Sequence, residues 1–371
     1  MKKLTQINHY LTTYPEQGKK IKGGQIIKAA RLFEYGEPLR IVDTDIPEPR
    51  GQQVLIKVCG TGVCRTDFYI RQGTLRDVMP IEPPLTLGHE VAGIIHDVGN
   101  YVKGFKKGDP ILVCGVIPCD TCKFCRVGQE NVCVNLRMIG ETTGLNGGYA
   151  EYMLVPNYRQ LIKAEGISDL RSAAALTDAG LTSYHAIRTK ILPKLSPDSY
   201  VAVVGIGGLG HVAVQLLKSL TKATLIAVDR NNAKLDLAAK FGAEYVINPL
   251  EVDVNREIRR ITNGKGVDVV LELAGSDESL KMAMSMLGQC GRIVIVGFGG
   301  YLHYYSSKGS VSEIEVVGSN YGSARELEEL VALYKKGALN FKINFRKLEE
   351  VNEVLDDLGK GAILGRTVIT P

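Results

Sequence analysis

The chain is 371 residues long, beyond the roughly 250 to 300 at which single hydrophobic cores stop growing, so its length predicts two domains. A composition 45% hydrophobic and 23% charged, with a formal net charge of +5, is ordinary globular, and no segment gathers that charge into the basic stripe of a nucleic-acid binder. No apolar run approaches the roughly 18 residues of a membrane span, and the N-terminus lacks the apolar centre of a secretory signal; a cytoplasmic protein with neither nucleic-acid nor membrane partner is expected.

In chain order, the opening "MKKLTQINHYLTTYPEQGKKIKGGQ" carries five Lys and one acidic residue through Lys22 and reads as a solvated extension. From "VLIKVCG" to "DPILVCGV", alternating apolar residues between turn residues predict a small antiparallel, barrel-like domain. Within it lie Cys64 in "GVCRTDFY" and His89 with Glu90 in "LGHEVAGIIHDVGNYV". Gly88, Gly93 and Gly99 mark close turns around the histidine, so Cys64 and His89 are expected to face one cleft. Next come Cys119, Cys122, Cys125 and Cys133 in "CDTCKFCRVGQENVC". Thiolates at this spacing wrap one tetrahedral zinc with four sulfurs, a closed site with no position for a substrate; redox-active thiols are the alternative. A nucleic-acid zinc knuckle is disfavoured, since only Lys123, Arg126 and Phe124 lie inside the cluster. Cys59, Cys114 and Cys290 sit in apolar surroundings and read as inert core residues.

The run "AALTDAGLTSY" places the carboxylate of Asp178 among Ala, Leu, Thr and Gly. Aspartate is almost never fully buried unless paired or bound to a metal, so either the run is exposed or Asp178 has a cationic partner. Beyond it, "SYVAVVGIGGLGHVAVQLLKSL" predicts a strand, a turn with Gly205, Gly207, Gly208, Leu209 and Gly210, and a helix. In such a turn, backbone N–H groups and the helix N-terminus receive a pyrophosphate. Asp229 closes the next strand, "TLIAVD", near the interval at which a carboxylate bonds the ribose hydroxyls. It favours NAD over NADP, a preference that Arg230 softens. His211 reads as a helix-surface residue. Strand and helix patterns then alternate through "YVINP", "VDVVLELAG", "RIVIVGFGG" and "IEVVGSN", predicting a doubly wound parallel sheet.

Over Lys28 to the C-terminus the chain resembles the zinc-dependent medium-chain dehydrogenases, specifically the alcohol dehydrogenases: Gly88 to Val102 is similar to their zinc signature and the four-cysteine lobe to their structural zinc loop. The resemblance implies an α/β fold, with a GroES-like β-rich catalytic domain (residues 28–179 and 323–371) and a Rossmann doubly wound parallel-sheet domain (180–322), after an extension over 1–27. It implies two zinc ions per chain and NAD. The catalytic zinc is held by Cys64, His89 and a third ligand that opens the junction helix. In the best-known members that ligand is cysteine; here the position falls on Asp178, as in a bacterial and archaeal subset with the same "TDAGLT". Thr66 resembles the hydroxyl that bonds the alcohol oxygen, Asp67 the carboxylate that orients the histidine ligand, and Glu90 an alternative zinc ligand. Where many relatives end a proton relay in histidine, this chain has Tyr69. Thr182, Ala274, Gly297, Phe298, Ser319 and Asn320 are implied near the nicotinamide, and Arg366 at the pyrophosphate. "INFRKLEEVNEVLDDLGKG" resembles the helix returning to the catalytic domain, and "RIVIVGFGG" with "YLHYYSS" a possible edge pairing in a homodimer or homotetramer. The expected reaction is hydride transfer between a primary or secondary alcohol and NAD, with aldehyde or ketone reduction in reverse. A sugar or polyol dehydrogenase is the alternative, and a zinc-stabilised RNA-binding protein the rival of another class.

Overall fold

The computed structural model describes residues 26–371; of the expected N-terminal extension, residues 1–25 lie outside them. Six short runs rich in Val, Ile and Leu form a wholly parallel sheet, ordered Tyr245–Ile247, Thr224–Val228, Tyr200–Val204, Val267–Glu272, Leu287–Ile295 and Glu315–Gly318. Period-two alternation sends Val201, Val203, Leu225 and Val269 to one face, with Val212 and Leu216 of the helix Gly210–Leu220. Ala202, Val204, Ile226 and Val270 go to the other, with Ile258 and Leu280 of the helices Val254–Ile261 and Asp277–Met286. Burial on both faces is why these strands read as continuous apolar runs. Taken in chain order the strands lie 3-2-1-4-5-6, the Rossmann arrangement, and the order reverses between Tyr200–Val204 and Val267–Glu272.

The second large sheet is mainly antiparallel and runs Leu161–Lys163, Pro110–Val113, Glu90–Val98, Val54–Gly62, Arg366–Thr370 and Ile343–Lys347, with Tyr152–Val155 also on Val54–Gly62. Its register sets Gly62 against both Glu90 and Val368. Cys64, two residues past that strand, Glu90 at the start of its neighbour and Arg366 at the start of the next therefore gather at one end of the sheet. The helix Ala179–His185 begins at Asp178 and continues through a π-helical stretch, Ala186–Ile191, toward the parallel sheet.

Four expectations change. Leu287–Ile295 is paired on both sides, so the free edge belongs to Glu315–Gly318, and "INFRK" is a strand, with the helix beginning at Val351. Cys290 is exposed, because it sits at a positive-φ kink within its strand rather than in the core. His211 is fully buried between Phe241 and Phe341 rather than on a helix surface, because its helix is covered on that side by the segment near Phe341.

Tyr321 ties the two halves together. Its buried hydroxyl accepts from the Gly115 amide at 3.2 Å and donates to the Thr177 carbonyl, beside the start of the junction helix. Tyr321→Phe leaves both backbone groups buried without that partner. It is expected to lower stability by about 1 to 3 kcal/mol, read as a fall in the urea midpoint at unchanged slope.

Candidate active site

Cys64, His89, Glu90 and Asp178 place one donor atom each within 4.8 Å of one another, and all four are buried. The local sequence explains how. Cys64 caps the helix Arg65–Gln72 with extended backbone, which frees its sulfur, and its amide donates to Asp67 Oδ2 at 3.0 Å. Asp67 is fully buried and also accepts from the Tyr149 hydroxyl at 2.8 Å and the Gly88 amide at 3.3 Å, while its Oδ1 stands 3.4 Å from His89 Nδ1. With Nδ1 facing carboxylates, Nε2 of His89 points to Asp178 Oδ2, 3.7 Å away, the tautomer that a metal ligand requires. Gly62 admits Glu90: a Cβ there would stand 2.0 Å from Glu90 Oε2.

Asp178 occupies a helix N-cap, where aspartate ordinarily accepts from the first-turn amides. Here its side chain makes no cap bond. Oδ1 accepts from the Thr182 hydroxyl at 2.7 Å and Oδ2 from Arg366 Nη2 at 2.9 Å. The charge in "TDAGLT" is thus buried and does have a cationic partner. Arg366 also pairs with Glu90, its Nε 3.1 Å from Oε2. Thr182 and Arg366, both expected at the cofactor, also bond these carboxylates.

The charges decide what the cluster can hold. Burial alone would depress the His89 imidazolium, yet Glu141 and Asp67 hold it well above its ordinary value; Glu141 Oε1 lies 3.1 Å from Nδ1. Burial pushes the Glu141 carboxyl up to about 7. It opposes ionisation of Asp178 as well, but His89 and Thr182 keep that carboxyl below its usual range. Asp67, Glu90, Asp178, Glu141 and the Cys64 thiol therefore share one buried volume with two cations, Arg366 and the protonated His89 ring. Uncompensated buried charge costs several kcal/mol per ion, and a divalent cation among thiolate, imidazole and carboxylate relieves it. The donor set fits zinc.

The four lobe cysteines fit a second zinc. None is disulfide-bonded. Their sulfurs are 3.4 Å apart for Cys122–Cys125 and 4.0 Å for Cys119–Cys125 and Cys122–Cys133, near the edge of about 3.8 Å implied by tetrahedral Zn–S bonds of about 2.3 Å. The Thr121 hydroxyl, with nearby amides, lowers the Cys119 thiol to about 6, while partial burial beside the other sulfurs raises Cys125 to about 12.

The nucleotide residues lie along the carboxyl edge of the parallel sheet. Gly205 to Gly210 follow its first strand, Asp229 and Arg230 the second, Ala274 the fourth, Gly297 and Phe298 the fifth, Ser319 and Asn320 the sixth. A Cβ on Gly210 would stand 2.1 Å from the Gly205 carbonyl, so the turn closes only with glycine. Asp229 accepts from the Ile206 amide at 2.7 Å, which fixes it beside the turn; Arg230 is exposed. Ser319 Oγ is buried without a hydrogen-bond partner among the described residues, a polar atom available to a ligand at this edge. Tyr69 reaches toward the same edge, its hydroxyl 3.9 Å from where a Cβ on Gly299 would be. Sequence reasoning missed Glu141, Tyr149 and Tyr321; the glycines of "GETTGLNGG" bracket Glu141 but say nothing of its partner.

Two families match the chain: the alcohol dehydrogenase GroES-like domain over residues 50–166 and the zinc-binding dehydrogenase over 208–336. An NAD-dependent alcohol dehydrogenase of Sulfurisphaera tokodaii is 39% identical over 353 residues, covering 93% of this chain and all of that protein. A D-arabinose 1-dehydrogenase (NADP(+)) of Saccharolobus solfataricus is 39% identical over 348 residues, covering 93% of this chain and 97% of that protein. The crystal structure of an alcohol dehydrogenase from Aeropyrum pernix superposes with a TM-score of 0.89 at 41% identity, over 93% of this chain and all of that one. The chain belongs to the zinc-dependent medium-chain alcohol dehydrogenase family, with a GroES-like domain joined to a Rossmann domain.

His211, in the first turn after Gly210, directs Nδ1 to the Gly207 carbonyl at 3.0 Å, and burial lowers its pKa from 6.5 to about 4. Between those values the unfolded chain binds a proton that the folded imidazole refuses. The stability due to neutral His211 is therefore full above 6.5 and is lost as pH falls toward 4. Relative to His211→Asn, the wild type is expected to lose about 3 kcal/mol over that interval, measured by urea unfolding of both at matched pH.

Proposed function

We propose that the chain is an NAD-dependent alcohol dehydrogenase that oxidises primary or secondary alcohols and reduces aldehydes or ketones in reverse. The observation that carries this reading is the convergence of Cys64, His89 and Asp178 beside the Gly-rich turn. Arg366, bound to Asp178, packs so close to Gly208 that a Cβ there would meet its Nη1 at 2.3 Å. When bound, zinc at these ligands polarises the substrate oxygen as a Lewis acid, and NAD takes up the hydride. The protein's own groups do the rest. Thr66, whose hydroxyl is 3.5 Å from Cys64 Sγ, hydrogen-bonds the alcohol hydroxyl and relays its proton, which leaves to solvent as the hydride goes to NAD. Asp67 and Glu141 hold the His89 ring, and Tyr69 walls the cleft where relatives place a relay histidine. The carboxyl edge, with Gly297, Phe298, Ser319 and Asn320, seats the nicotinamide half, while Asp229 takes the ribose. The four-cysteine lobe holds the structural zinc. The two separate large sheets support a division into 28–179 with 323–371 and 180–322.

Among the described residues no helix is long and apolar enough to cross a membrane. The open edge at Glu315–Gly318, with Val316 exposed, supports a dimer or tetramer. The similarity to a D-arabinose dehydrogenase favours a second reading, a sugar or polyol dehydrogenase using the same groups in a different pocket. A panel of alcohols, polyols and aldoses with NAD and NADP separates the two by kcat/KM.

Asp178→Ala is expected to retain one zinc per chain instead of two and to lose nearly all activity, by elemental analysis beside NAD-linked alcohol oxidation. Two zinc ions in that variant would refute the ligand assignment. Chelation that empties this site should abolish turnover while NADH fluorescence still reports binding. Asp229→Ser removes the carboxylate that repels a 2′-phosphate. It is expected to raise NADP efficiency relative to NAD by about tenfold or more, measured as the ratio of kcat/KM values.

A further inference from the structure

Asp178 differs from a cysteine ligand in one chemical respect: it carries two donor atoms. A carboxylate can meet a cation through one oxygen or through both. Two-oxygen contact would consume the position that a catalytic zinc keeps for substrate. The neighbours of Asp178 bear on this directly. Thr182, one helical turn along the same helix, donates its hydroxyl to Oδ1 at 2.7 Å. Arg366 donates to Oδ2 at 2.9 Å and is itself fixed by Glu90. Oδ2, which carries the Arg366 bond, is the oxygen 3.7 Å from His89 Nε2, so the two oxygens have different partners: a guanidinium on the histidine side and a hydroxyl on the other. All three side chains are buried, and the carboxylate has no helix-cap bond to compete.

We propose that Thr182 and Arg366 are positioning residues that hold Asp178 to single-oxygen contact with the catalytic zinc, keeping the substrate position open. The proposal rests on the reading of Cys64, His89 and Asp178 as ligands. In this arrangement Thr182 is the stop on Oδ1, and Arg366, anchored by Glu90, sets the direction of Oδ2. A cysteine at 178 has no second donor atom and needs no such stop.

The test measures zinc retention by the holoenzyme against a graded chelator, with the four-cysteine zinc as internal reference, beside NADH titration and the visible spectrum of the cobalt-substituted protein. Thr182→Val keeps the side chain's shape and removes the hydroxyl. It is expected to change the affinity of the catalytic-site metal by about 10- to 100-fold, to shift the cobalt spectrum from four- toward five-coordinate, and to change NADH affinity by a smaller factor than metal affinity. Thr182→Ser should restore the wild-type values. In an Asp178→Cys background, Thr182→Val should change neither metal affinity nor spectrum. Arg366→Lys, which keeps a cation beside Glu90 and removes the second nitrogen that reaches Oδ2, should disturb the metal in the Asp178 protein and not in the Asp178→Cys background. An unchanged cobalt spectrum in Thr182→Val, an equal effect in both backgrounds, or a loss confined to NADH binding would overturn the proposal. Retention of two zinc ions by Asp178→Ala would overturn the ligand reading itself, which sets the two failures apart.

Discussion

The arrangement depends on a buried excess of negative charge. Asp67, Glu90, Asp178, Glu141 and Cys64 are withdrawn from water at the junction of two sheets, and each is bonded so that it cannot turn away. Arg366 and the protonated His89 ring offset part of that charge, and taking the rest out of water costs several kcal/mol per stripped ion. The geometry becomes reasonable once divalent charge is supplied, and the chain is built around receiving it. The lobe cysteines state the same principle with sulfur.

The topology delivers these charges to one place. Antiparallel pairing sets Gly62, Glu90 and the start of the Arg366 strand at one end of a sheet, and Cys64 lies two residues beyond. The junction helix then offers its first residue, Asp178, to that end. On the other side, the reversal of strand order in the parallel sheet opens a crevice at the glycine turn. Metal and nucleotide sites are therefore products of register and strand order, held against each other by contacts such as Arg366 on Gly208.

Much of this was legible in the sequence, for identifiable reasons. The four cysteines, the glycine turn and Asp229 act within short segments, so spacing alone carries their chemistry. Asp178 was legible as an anomaly, a charge in an apolar run. Its partners were not, since Thr182 shares its helix but nothing in the sequence says which way that hydroxyl turns, and Arg366 arrives from a distant strand. Glu141 and Tyr149 reach His89 and Asp67 across the fold with no local pattern to announce them. His211 and Cys290 were misplaced because helix and strand faces depend on what packs over them, which no window of sequence contains. The free edge of the parallel sheet went to the wrong strand for the same reason.

The pairing of Gly62 with Val368 has a consequence for biogenesis. During synthesis Val54–Gly62 emerges long before the strand that lies beside it, with the whole parallel sheet still to be made. Until then Tyr152–Val155 covers Val54–Lys57, but Thr61 and Gly62 lack their partner and the acidic groups lack Arg366, which has not been translated. Non-local closure of this kind is slow and exposes the edge to other chains. Completion of the charged cluster around Asp178 is thus a late event in the life of each molecule, tied to the last strand of the chain.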